Sequence, residues 1–127
     1  MMKSVYLVLL LAASLIVPLT AAGDEVTDIA IQVSPNVIAL RSNGTWLTIH
    51  ADISFAVVDK DSVQLEIEGV TLAPQSLFAD DCGDLVAKFP LNAVKDIVKD
   101  KTSATMTLSG LTIAGDAFVG SATVAVR

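Results

Sequence analysis

One stretch constrains the fold of this chain more than any other: Thr45–Phe55, TWLTIHADISF. Leu47, Ile49, Ala51, Ile53 and Phe55 alternate there with Trp46, Thr48, His50, Asp52 and Ser54. A period of two sends successive side chains to opposite faces of a pleated strand, so the first set reads as core and the second as a wetter face. Upstream, Val37–Arg41 is another apolar run, and Ser42-Asn43-Gly44-Thr45 separates the two. Asn-Gly suits a type I′ turn, so the pair reads as a β-hairpin.

The rest of the chain repeats the theme. Asp28–Val33 alternates through Ile29, Ile31 and Val33 before the break at Ser34-Pro35-Asn36. Val57–Ser62, with Asp59-Lys60-Asp61, reads as a polar connection, and Val63–Gly69 as a strand with Val63, Leu65 and Ile67 inward. Ala73–Gly83 reads as a loop around Pro74 and the acidic cluster, and Leu85–Phe89 as a buried strand. In Leu91–Lys101 the period changes: Leu91, Val94, Ile97 and Val98 recur at helical spacing, which predicts one short amphipathic helix. Thr102–Ile113 alternates again with Ala104, Met106 and Leu108 inward, and a turn at Gly115-Asp116 leads into Phe118–Val126. About seven strands, frequent turn signals and one helical piece describe an all-β sandwich.

The first segment stands apart from that fold. Lys3, the apolar run Val5–Leu19, Pro18 and the small residues Thr20-Ala21-Ala22-Gly23 follow the order of a secretory signal peptide. Cleavage after Ala22 or after Gly23 both fit, giving a signal peptide over residues 1–22 and one domain over 23–127. Retention as a membrane anchor is the weaker reading, because the run is shorter than the ~20 apolar residues that span a bilayer. The expected location is therefore secreted, extracellular or in the cell envelope, with membrane contact only through the signal segment before its removal. With Lys3 gone, the formal charge moves from −6 to about −7. Nucleic acid and anionic lipid are poor partners for such a chain, since binding them begins with a clustered basic patch. Cys82 is the only cysteine, so no internal disulfide forms, and a free thiol or an intermolecular link remains.

Several segments together carry a family resemblance. They are Asn36-Val37-Ile38-Ala39-Leu40-Arg41-Ser42-Asn43-Gly44-Thr45-Trp46, Asp84-Leu85-Val86-Ala87-Lys88-Phe89, and the ending Gly110–Arg127 with Asp116-Ala117-Phe118-Val119-Gly120-Ser121. In this order they resemble the short immunoglobulin-like β-sandwich modules of bacterial and archaeal secreted and cell-surface proteins. The resemblance implies a non-catalytic module with a structural, adhesive or scaffolding role. Its partner would be a protein, a surface polysaccharide or another copy of the chain. In similar modules the segment before the D-L-x-x-K-F strand is often a longer acidic, glycine-containing run that looks able to hold calcium. Here it is only Ala79-Asp80-Asp81-Cys82-Gly83-Asp84, which makes Asp80, Asp81 and Asp84 the calcium candidates. Calcium takes 6–8 oxygen ligands, so the plainer reading is a solvated acidic turn and no resident cofactor.

Other groups bear on chemistry. His50 and Asp52 share a strand face and are placed to pair, but no second histidine or cysteine pair completes a zinc site and no G-x-S-x-G elbow is present. Cys82 sits among carboxylates that disfavour a thiolate, so it is poorly placed as a nucleophile. Glu66 and Glu68 lie two apart, as on the solvated side of a strand. Trp46 either packs in the sandwich, the favoured reading, or offers its ring to a partner together with Thr48, His50 and Asp52. Asn43-Gly44-Thr45 matches a glycosylation acceptor at Asn43, although the same residues suit a turn. Two further functions stay open. One is a subunit of an extracellular filament that donates Gly23–Val33 as a free N-terminal strand to a neighbour's sheet. The other is a secreted enzyme inhibitor or small hydrolase, the inhibitor using Thr71–Asp84 as a protruding loop.

Overall fold

A computed structural model describes residues 25–127, and the signal-peptide reading falls outside them. In chain order the strands are β1 (Val26–Asp28), β2 (Ile31–Ser34), β3 (Val37–Ile38), β4 (Trp46–Ser54), β5 (Val58–Ile67), β6 (Val70–Leu72), β7 (Ser76–Ala79) and β8 (Asp84–Pro90). Helix α1 (Leu91–Val98), β9 (Ser103–Thr112) and β10 (Ala117–Val126) follow, and a single 3₁₀ turn, Phe55–Val57, joins β4 to β5. Among the described residues no helix is long and apolar enough to cross a membrane.

Two sheets share these strands. One runs β2-β4-β8-β7; the other runs β1-β10-β9-β5-β6, with β3 also paired to β10. Lettered by position, the first is A-B-E-D and the second has C, F and G adjacent with A′ beside G, the strand order of an immunoglobulin-like sandwich. Helix α1 occupies the connection from β8 to β9.

The alternating apolar sets meet between the sheets. Leu47, Ile49 and Ala51 of β4 and Leu85, Ala87 and Phe89 of β8 face Val63, Leu65 and Ile67 of β5, Ala104, Met106 and Leu108 of β9, and Phe118 and Val124 of β10; all are buried. Ile53 and Phe55 are half-buried where β4 leaves the core. Leu91, Val94 and Val98 bring α1 onto the same core. Each fully buried Leu, Ile or Phe stabilises the fold by about 1.5–3 kcal/mol, and this core holds the sandwich without a disulfide, since Cys82 is a free, exposed thiol.

Several expectations change. Val37–Ile38 does not form a hairpin with β4: it runs parallel to Ala125–Val126 in the opposite sheet. Arg127 N–H donates to the Ile38 carbonyl (2.8 Å) and Leu40 N–H to the Arg127 carbonyl (2.7 Å), so the backbone groups of this run are satisfied by β10. Residues 39–45 then cross between sheets. Gly44 has no left-handed φ, so there is no type I′ turn; a Cβ there would lie 2.8 Å from Leu91 Cδ2, and close packing is what asks for glycine. The type I′ geometry falls instead at Glu68-Gly69, with φ of 50° and 85°, between β5 and β6.

The supposed connection Val57–Ser62 is largely strand, because Val58 and Asp59 pair with Thr112 and Leu111 of β9. The supposed loop Ala73–Gly83 contains β7, which pairs along Ser76–Ala79 with β8, so Thr71–Asp84 is not a protruding loop. The strand expected to be free at Gly23–Val33 is seated on its own chain wherever it is described. Val26–Asp28 runs parallel to Ala117–Val119, and Ile31–Ser34 pairs with Thr48–Ala51. The linker between those two pieces is pinned on both sides, by Ile29 N–H to the Val119 carbonyl (2.8 Å) and Asp52 N–H to the Ala30 carbonyl (2.9 Å).

Candidate functional site

The outer faces of the two sheets differ. On the β9–β10 side the exposed surface is a ladder of hydroxyls: Thr105 with Thr123 at 3.2 Å and Thr107 with Ser121 at 3.0 Å. Such cross-strand pairs satisfy one another. Toward the far end of the same strands the surface turns apolar, with Val26 and Leu111 exposed beside a cleft of about 580 Å³. The outer face of the four-stranded sheet carries aromatic rings and charges instead.

Register builds that face. β4 buries Leu47, Ile49 and Ala51, so Trp46, Thr48, His50 and Asp52 must point away from the core. Trp46 stands opposite Pro90, Thr48 opposite Lys88, and His50 opposite Val86. On the far side of β8, Lys88 stands opposite Ser76 and Val86 opposite Phe78. Lys88 is therefore the diagonal neighbour of both outward rings. Its Nζ lies 5.9 Å from the Trp46 ring centre and 5.6 Å from that of Phe78, within range of cation–π attraction. Both rings are open to solvent, Trp46 at 40% and Phe78 at 41%. Val86, between Phe78 and His50 in the same row, is only 1% exposed although it lies outside the core cluster. Trp46 thus stands on the surface and not inside the sandwich, where sequence reasoning favoured it.

At the middle of β4, His50 pairs with Asp80 and not with its strand neighbour Asp52: Nδ1 and Asp80 Oδ2 are 3.7 Å apart. Asp80 is the hub of the β7–β8 turn. Its Oδ1 accepts from Cys82 N–H (2.8 Å) and Asp84 N–H (3.0 Å). The Asp84 amide is the largest influence holding the Asp80 carboxyl below its ordinary value of 3.8; partial burial opposes it, and the Cys82 amide and His50 reinforce it. Asp81 and Asp84 sit in or beside the same turn, but among the described residues no group of three or more His, Cys, Asp or Glu is placed to hold a metal ion. Cys82 is exposed at the turn tip.

Glu66 and Glu68 are not a pair. Glu66 is on β5 opposite Thr107, whereas Glu68 is in the turn, where its Oε2 accepts from Thr105 N–H (3.1 Å) and its Oε1 lies 3.7 Å from Lys101 Nζ.

Two clefts flank the aromatic row. One, of about 390 Å³, is lined by Ser42–Thr45, Trp46, Pro90 and Asn92, and includes Asn43. The other, of about 340 Å³, is lined by Gln32, His50, Asp52, Asp80 and Asp84 with Ala30 and Ala51. Sequence reasoning found Trp46, Thr48, His50 and Asp52 but missed Phe78 and Lys88. The available signal was the alternation Ser76-Leu77-Phe78, in which only Leu77 packs on the core.

No protein-family model matches the chain, and no curated protein matches it. Solved structures with a similar fold include a bacterial immunoglobulin-like domain from the M. primoryensis ice-binding adhesin, 17% identical with a TM-score of 0.45 over 80% of this chain and 98% of that one. A structure concerned with host cell surface retention of a 1.5-MDa bacterial ice-binding adhesin is 17% identical, with a TM-score of 0.43 over 90% of this chain and 34% of that chain. A Ca²⁺-stabilized adhesin that helps an Antarctic bacterium reach out and bind ice is 16% identical, with a TM-score of 0.47 over 90% of this chain and 26% of that chain. The likeness concerns fold, and says nothing of ligand or partner.

Proposed function

We propose that this chain is a non-catalytic, secreted or cell-surface β-sandwich module with an adhesive or scaffolding role, and that it makes contact through the outer face of its four-stranded sheet. The observation that carries this is the pair of solvent-open rings, Trp46 and Phe78, held on rigid strands around Lys88. Large exposed aromatic side chains grouped on one face mark an interaction surface; the other sheet exposes the aliphatic residues Val26 and Leu111 but, among the described residues, no large aromatic ring. Among the described residues the segment Thr71–Asp84 is held in the sheet through β7 and is not the protruding loop an inhibitor would use, and His50 is paired with Asp80.

The test is retention on the surface of the cells that make the protein. Full-length chain, tagged at its C-terminus, is followed by fractionation beside the double variant Trp46→Ser/Phe78→Ser. The expected result is wild type exported and held at the surface, with the variant exported, folded and released to the medium. A wild-type chain that stays in the cytosol, or a variant retained as well as wild type, would overturn the proposal.

A further inference from the structure

The outer face is electrically divided, and the division points to a class of ligand. The Trp46 cleft has no carboxylate in its lining, only hydroxyl, amide, glycine, proline and indole groups. Two ammonium groups flank it: Lys88 Nζ beside the indole, and Lys95 Nζ, which donates to the Ser42 carbonyl at 2.6 Å. The cleft at the other end of β4 has Asp52, Asp80 and Asp84 in its lining. In a chain of net charge −6, the Trp46 end is thus the place on this face where an anion meets cations and no fixed negative charge.

We propose that the Trp46 cleft, with Lys88 beside its indole, binds a pyranose polysaccharide bearing carboxylates, a polyuronate, with one sugar ring on the indole and its carboxylate on Lys88. This rests on the reading of the outer face as a contact surface, and narrows it. The electron-rich face of an aromatic ring attracts the polarised C–H groups of a pyranose. Exposed tryptophan supplies that platform at low cost in ordering, because β4 fixes its backbone and only two side-chain torsions remain. Ser42, Thr45, Asn43 and Asn92 offer the short hydroxyl and amide side chains that exchange hydrogen bonds with sugar hydroxyls. Charge then selects among sugars: the Lys88 ammonium, partly satisfied by two rings, still has donors for a carboxylate, and an ion pair at a half-open site weakens as salt rises. A polyanion without a pyranose face lacks the stacking partner; a neutral glucan lacks the charge.

Trp46 is the only tryptophan in the chain, so its emission reports on this site alone. Full-length protein is titrated with an oligogalacturonate, a neutral glucan of equal length and poly-glutamate. The expected result is a saturable change in emission with the oligouronate, at least about tenfold weaker binding of the other two, and a further loss in high salt. Lys88→Gln should weaken the oligouronate about tenfold while leaving circular dichroism unchanged. Trp46→Ala, followed by calorimetry, should remove binding. An equal response to poly-glutamate would show charge alone, and no response to any saccharide would remove the inference. If saccharides fail while the double variant still loses surface retention, the contact-surface proposal stands and the polyuronate assignment falls.

Discussion

Replacing Gly120 by alanine sets two physical effects against each other. Glycine within a strand is entropically costly, so alanine should stabilise by about 0.5–1 kcal/mol if nothing else intervenes. In this fold something does. An added Cβ would lie 2.7 Å from the Ile29 carbonyl oxygen, 2.7 Å from Ile31 Cγ2 and 3.2 Å from Ile29 Cγ1. Carbon atoms pack best at roughly 3.5–4.0 Å, so the approach to Ile31 is about an ångström too close. The isoleucine side chains can give a little, but the Ile29 carbonyl cannot. The hydrogen bonds from Ile29 N–H and Asp52 N–H fix the backbone on either side of it. Overpacking of this kind costs about 1–3 kcal/mol, which outweighs the entropic gain. The net loss of about 1–2 kcal/mol lowers the melting temperature by roughly 5–15 °C for a domain near 100 residues. Thermal unfolding measures the total, and amide exchange at Ile29 and Asp52 locates it. A Gly120→Ala protein as stable as wild type, with the Asp52 amide still protected, would refute the reasoning.

Three other outcomes follow from the same structure. Phe89→Ala empties a fully buried site and should cost about 3–5 kcal/mol, a large share of the roughly 5–15 kcal/mol that holds a domain folded, as read from a urea midpoint. Gly69→Ala introduces a Cβ that meets nothing within 4 Å but sits at φ 85°, so denaturation should show a loss of about 1 kcal/mol from backbone conformation alone. The Asp80 carboxyl has a folded value below 3.8, so its turn-stabilising contribution is present above the unfolded value and is lost as pH falls through the folded one. Wild type should therefore exceed Asp80→Ala in stability at neutral pH and converge with it in acid, with the carboxyl titration followed by carbon NMR. A gap between the two that does not change with pH would contradict this.

What could be read from the sequence was what depends on a local period. Leu47-Ile49-Ala51 and Leu91-Val94-Val98 announce a strand face and a helix face without reference to anything else, and both are buried as their spacing requires. Pairing is not local. The run Val37–Ile38 is equally apolar whether it lies beside β4 or β10, and Asn43-Gly44 looks like a hairpin turn whether glycine is needed for its φ or to leave room for Leu91. β7 escaped notice because an edge strand of four residues buries little, and its exposed Phe78 reads as part of a loop. The site inherited both conditions. Trp46 and His50 were legible as outward residues of one strand, whereas Lys88 between two rings and Asp80 beside His50 exist only once β4, β8 and β7 are aligned.

The placement of β10 has a mechanical consequence. Both β1 and β3 run parallel to it, one beside its first residues and the other beside its last. Val26 and Arg127 consequently lie at opposite poles, separated by the length of a ten-residue strand, about 33 Å. Tension applied between the two ends draws β3 and β10 past each other along their axes. Their hydrogen bonds, including Leu40 N–H to the Arg127 carbonyl, are then loaded together in shear and are not peeled open one by one. A hairpin pulled at its open end has no such protection. Leu40→Pro, which removes that donor, should lower the rupture force in single-molecule pulling, while an unchanged force would show that the load is carried elsewhere.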